Sequence, residues 1–68
     1  MNRFILLHQL GRAKDPVPTW INISHIAAME ATNGGEHTRL NMGLEGYCVV
    51  SESVAAVLDA IRRAEDDR

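Results

Sequence analysis

Ser53-Val54-Ala55-Ala56-Val57-Leu58-Asp59-Ala60-Ile61-Arg62-Arg63-Ala64-Glu65 is the stretch that decides the fold of this chain. Ser53 reads as an N-cap, because its hydroxyl can accept a backbone N–H bond from the first helical turn. Val54, Val57, Leu58 and Ile61 recur at i, i+3, i+4 and i+7, while Asp59, Arg62, Arg63 and Glu65 take the other side. The spacing predicts one amphipathic helix over residues 54–65 that buries those four aliphatic side chains. Everything before it reads as short strands and turns.

Tyr47 to Ser51 is the strand that feeds the helix, and Gly43-Leu44-Glu45-Gly46 is the turn before it. In His37 to Met42, Thr38, Leu40 and Met42 face one way and His37, Arg39 and Asn41 the other, as in a strand with one wet face. Asn33-Gly34-Gly35 is a strong hairpin signal. It favours a strand over residues 26–32 against a helix over 24–31, although Ala27, Ala28 and Ala31 have poor strand propensity. Thr19 to Ile23 is a further strand. From Asn22 to His25 the chain should bend or make a single helical turn, because Asn and Ser side chains bond nearby backbone groups. The His25 ring is placed to bond the backbone there.

Gly11 to Pro18 reads as a polar loop or frayed edge, since Pro16 and Pro18 remove two backbone donors. Phe4 to Leu10 is the first strand, with Phe4, Leu6, His8 and Leu10 on one face and Ile5, Leu7 and Gln9 on the other. The order predicts an α+β fold: a small antiparallel meander of four to five strands with one C-terminal helix on one face. Asp66 to Arg68 read as a frayed tail.

A single domain of 68 residues lies near the size at which one core barely suffices. Cys48 is the only cysteine, so no intrachain disulfide can form, and no Cys or His pair has zinc-site spacing. A second copy is the remaining source of buried area. One helix covers one sheet face, yet the first strands are apolar on both. Ile5, Leu7, Trp20, Ile21 and Ile23, or their opposite-facing neighbours, are therefore the candidate interaction surface of a homo-oligomer. Trp20 suits a core or an intersubunit contact equally.

The composition, 46% hydrophobic and 24% charged, is that of a globular chain, and a net charge of −2 provides no general basic field for nucleic acid or anionic lipid. No apolar run approaches a membrane span, and the start of the chain lacks the features of a signal peptide, so a cytoplasmic location is expected.

Trp20-Ile21-Asn22-Ile23-Ser24-His25-Ile26-Ala27-Ala28-Met29-Glu30-Ala31 resembles a segment of the FlbD family of small bacterial flagellar-operon proteins: an apolar strand ending in Asn, a short polar turn, Ile, and a strand finishing near Glu. Tyr47-Cys48-Val49-Val50-Ser51-Glu52-Ser53-Val54, followed by Val57 and Leu58, is similar to the family's second signature, an apolar strand, Glu-Ser and a closing helix. The resemblance covers roughly residues 4–62, and the same pattern recurs in small bacterial and phage-encoded proteins. It implies a strand-rich domain with a C-terminal helix and a link to flagellar assembly or motor output. The connection from Leu10 to Trp20 and the turn from Met42 to Gly46 are longer here than in that family.

Catalytic chemistry finds little support. His8, His25 and His37 have no metal-ligand spacing to each other or to a carboxylate. Cys48 lies mid-strand with no base in sequence beside it, the pattern of a structural thiol. Ser24 and His25 are neighbours but have no orienting acid or oxyanion hole in prospect. Asn33-Gly34-Gly35 lacks the length and the Lys-Ser/Thr of a phosphate loop. No cofactor motif is present. Two functions follow as expectations: a non-enzymatic protein–protein interaction or assembly module, or alternatively a small nucleic-acid-binding regulator. The second would use Arg3, Arg12, Lys14 and Arg39, with few aromatic side chains to stack on bases.

Overall fold

The computed structural model describes residues 3–11 and 15–66. Its elements are β1 (Phe4–Leu10), β2 (Val17–Asn22), β3 (Ala28–Thr32), β4 (His37–Asn41), β5 (Tyr47–Val50) and α1 (Val54–Asp66), with single 3-10 turns at Ile23–His25, Asn33–Gly35 and Gly43–Glu45. All strand pairings are antiparallel, in the order β2-β1-β5-β4-β3. The α+β class and the single C-terminal helix expected from the sequence are both present.

β1 and β2 form one hairpin ribbon, and β3, β4 and β5 form a meander. The two halves meet at a short seam, where Gln9 pairs with Val50, Leu10 with Val49, and Ser51 N–H donates to the His8 carbonyl at 2.8 Å. The outer strands β2 and β3 are nevertheless joined by only Ile23–Ala27. A flat sheet of five strands would separate its edges by about 19 Å. A connection containing a 3-10 turn reaches only about 16 Å. The sheet must therefore curve about its seam, and α1 packs into the concave side against β1, β3 and β4.

Ile5, Leu7 and Ile21 come to this core from the ribbon, Leu40, Thr38 and Val50 from the meander, and Val57 and Ala64 from the helix. Thr38 is the one buried polar side chain among the described residues, and its hydroxyl donates to the Glu52 carbonyl at 2.8 Å.

Several boundaries differ from the sequence reading. β2 starts at Val17, so Pro18 lies inside a strand rather than in a loop. Ile23 N–H donates to the Arg3 carbonyl at 2.7 Å, which makes the odd-numbered residues of β2 those bonded to β1. Pro18 consequently turns its missing donor to the free edge, the place where a strand tolerates proline. The third strand begins at Ala28 rather than 26, because Ile26 N–H closes the preceding turn onto the Ile23 carbonyl at 3.1 Å. The helix buries Val57 and Ala64 fully, while Leu58 is 52% exposed. Its stripe runs through Val57, Ala60, Ile61 and Ala64, rotated away from Leu58, because the concave sheet meets it on the alanine side. Asp66 closes the helix; Asp67 and Arg68, read as tail, lie outside the described residues.

Candidate functional site

The alternation along β1 and β2 sorts their side chains. Ile5, Leu7 and Ile21 point into the core, and Ile23 packs partly buried against it. These four are corrected from surface to core, since the concave face is the one that α1 covers. Of the five residues expected at an interface, Trp20 alone remains outside, 64% exposed. Its neighbours on that face are Phe4 and Leu6, at 46% and 43% exposed. Leu6 stands directly opposite Trp20 in the register, and Pro18 lies exposed beyond it, opposite His8. Cross-strand pairs of this kind put large side chains about 5 Å apart at Cβ.

This apolar face continues round β1 onto the helix. Phe4, Leu6 and Trp20, with Ala56, Ala60 and Arg63 of α1, border an open groove of about 440 Å³. Small alanines keep the helical wall low. The charges at its rim are already paired, with Asp59 to Arg62 at 2.7 Å and to Arg63 at 2.9 Å.

A second arrangement, not anticipated from the sequence, fastens α1 to β1. The Glu52 carboxylate accepts the His8 backbone N–H at 3.0 and 3.2 Å and lies 2.7 Å from His8 Nδ1. It takes the ladder position that β5 has just vacated by turning into the helix. Burial pushes the carboxyl upward, but the His8 backbone bond, the ring bond and the His8 charge outweigh it and hold the group below its ordinary value. Ser53 caps as expected, accepting the Ala56 N–H at 3.2 Å. A carboxylate just before an N-cap was visible in the sequence, but its partner, far away in the chain, was not.

The structural turn at Asn22 also forms as expected: its Oδ1 accepts the Ser24 N–H at 2.9 Å. His25 departs from expectation. Its Nδ1 faces Glu45 Oε1 at 3.5 Å rather than the backbone, tying the first 3-10 turn to the third. The histidines are not brought together, and no group of three His, Cys, Asp or Glu side chains able to hold a metal occurs among the described residues. Cys48 is half-buried against the core with its thiol pushed up by desolvation, and no hydrogen-bonded base adjoins it among the described residues.

Each described arginine is engaged: Arg3 donates to Ser24 Oγ at 3.1 Å, Arg39 pairs with Glu30 and lies 5.4 Å from the Tyr47 ring centroid, and Arg62 and Arg63 share Asp59. Arg12 and Lys14, the other members of the basic patch, lie outside the described residues. No described helix is long and apolar enough to cross a membrane. The chain matches no protein-family profile, no curated protein and no solved structure.

Proposed function

We propose that this protein is a non-enzymatic protein–protein interaction or assembly module that acts as a homo-oligomer through the outer face of the β1–β2 ribbon. One observation carries the reading: a tryptophan directly opposite a leucine, with a phenylalanine beside them, all exposed on regular strands. Trp at the centre of an apolar patch is the side chain most favoured at binding hot spots. Scattered exposed apolar residues need no explanation, but a contiguous patch on rigid elements does.

Sedimentation velocity over a micromolar concentration series tests the reading. Concentration-dependent association, abolished by Trp20→Ala with the circular dichroism spectrum unchanged, supports it. A monomer throughout the series overturns it. The FlbD-like pattern suggests a flagellar setting, in a bacterial cytoplasm, and the gene neighbourhood tests it: flagellar genes beside its own would support that setting. Phage structural or regulatory genes there redirect it.

A further inference from the structure

We propose that Asn33 is a self-modification site: once the turn between β3 and β4 opens, its side-chain amide cyclises onto the backbone nitrogen of Gly34 and is lost as ammonia, leaving aspartate or isoaspartate. Of the four asparagines, Asn33 alone precedes a glycine, whereas Asn2, Asn22 and Asn41 precede Arg3, Ile23 and Met42. A side chain on the following residue crowds the attacking nitrogen, and glycine has none. Asn22 and Asn41 are occupied besides, their Oδ1 atoms accepting the N–H of Ser24 at 2.9 Å and of Gly43 at 3.0 Å. Asn33 is exposed, and a Cβ added at Gly34 would meet nothing within 4 Å, so water reaches both reacting groups.

The folded turn holds the reaction off. Ring closure joins the Gly34 nitrogen to Asn33 Cγ, which requires that nitrogen to eclipse Cβ about the Cα–C bond. Asn33 has φ 52°, in the left-handed region where ψ is about +30 to +60°. There the Gly34 nitrogen stands nearly opposite Cβ, out of reach of Cγ. Two contacts close the turn: Glu36 N–H donates to the Asn33 carbonyl at 3.2 Å, and Asn33 Nδ2 makes a long bond to Glu36 Oε2 at 3.4 Å. Both residues are exposed, so the tip opens at a far lower free energy than the core. Opening frees ψ and lets the ring close.

The step balances with water as the co-reactant. Solvent base removes the Gly34 N–H proton, the N–Cγ bond forms, and the Cγ–Nδ2 bond breaks as Nδ2 leaves with a solvent proton as ammonia. Water then opens the cyclic imide. Cleavage of the bond from nitrogen to Cγ gives aspartate, and cleavage of the bond to the main-chain carbonyl carbon gives isoaspartate. Either product replaces the donor facing Glu36 by a second carboxylate and adds one negative charge to the net −2. Isoaspartate also places Cβ in the main chain, which lengthens the turn that sets Thr32 opposite His37. The change loosens the β3 edge irreversibly, at the end of the sheet remote from the β1–β2 ribbon.

The test incubates the full chain, folded and chemically unfolded, at neutral and at mildly alkaline pH, and follows it by isoelectric focusing and peptide mass mapping. An acidic product modified at residue 33, containing both aspartate and isoaspartate, should form faster at the higher pH. It should form at least roughly tenfold faster in the unfolded chain, where no closed turn opposes the ring. Asn33→Gly accommodates φ 52° and lacks the amide, and should give no such product. The isoaspartate fraction, separated by ion exchange, should unfold at a lower urea midpoint than the unmodified chain. An Asn33 that stays intact in both states, or earlier conversion of Asn22 or Asn41, overturns the site, and so does an acidic product that persists in Asn33→Gly. Equal rates in the folded and unfolded chains overturn the gating by the turn, and equal midpoints overturn its effect on the β3 edge.

Discussion

Replacing Glu52 by alanine removes the carboxylate that stands in for a strand at the end of the β1–β5 seam. The loss comprises the bonds from His8 N–H at 3.0 and 3.2 Å and the contact with His8 Nδ1 at 2.7 Å. A hydrogen bond to a charged group contributes about 1.5–3 kcal/mol, and the half-exposed His8 admits water to replace part of it. We expect a net destabilisation of about 2 kcal/mol. For a chain this short, with a urea dependence near 1 kcal/mol per molar, the midpoint should fall by roughly 2 M. Melting should fall by roughly 8–16 °C. Both variants are compared at one protein concentration, because association adds to stability. Glu52→Gln keeps an acceptor but loses the charge, and should lie between the two.

The pH dependence follows from the direction of the shift. Glu52 titrates below its ordinary 4.5 in the folded chain. A depressed carboxyl stabilises the fold fully above its unfolded value and loses that contribution as the pH falls through the folded one. The gap between wild type and Glu52→Ala should therefore be widest at neutral pH and shrink steadily below about pH 4. Equal midpoints at neutral pH would refute the latch, and so would a gap of undiminished size at about pH 2.

Two further outcomes test the packing and the turns. Val57→Ala, at a fully buried site, should cost about 2 kcal/mol in chemical denaturation, whereas Leu58→Ala, deleting a larger side chain, should cost under about 1 kcal/mol because Leu58 is 52% exposed. The opposite ranking would restore the stripe read from the sequence. Gly46 has φ 94° and ψ −142°, a conformation closed to side chains, so Gly46→Ala should lose about 1–3 kcal/mol by the same assay. Gly11, with open space around it and no such restriction, is the control and should change little.

The helix, its Ser53 cap, the Asn22 turn and the Asn33-Gly34-Gly35 hairpin were legible because each is local: residues within a few positions carry the whole signal. Asn33, Gly34 and Gly35 all adopt positive φ, which their side chains permit and most others resist. What escaped was set by curvature. A flat sheet would leave Ile5, Leu7 and Ile21 available on an open face, but the bent one wraps them round α1. Trp20 then becomes the exposed member of an alternation that reads the same in either orientation. The position of Pro18 could be read as a loop because the chain does not announce which strand is an edge. Glu52 escaped for a different reason, since no short motif links a carboxylate to a backbone donor in the first strand.

The seam between the two halves also has a topological cost. Each hairpin closes a loop of a few residues, whereas His8 and Glu52 lie 44 positions apart. Chain entropy grows as the logarithm of loop length, so drawing those two together costs roughly 2 kcal/mol more than closing a five-residue turn. That excess is about the size expected for the Glu52 contact itself. The carboxylate thus offsets the entropy of turning a nearly linear string of hairpins into a ring, and the curvature that wraps Ile5, Leu7 and Ile21 round α1 depends on the ring staying shut.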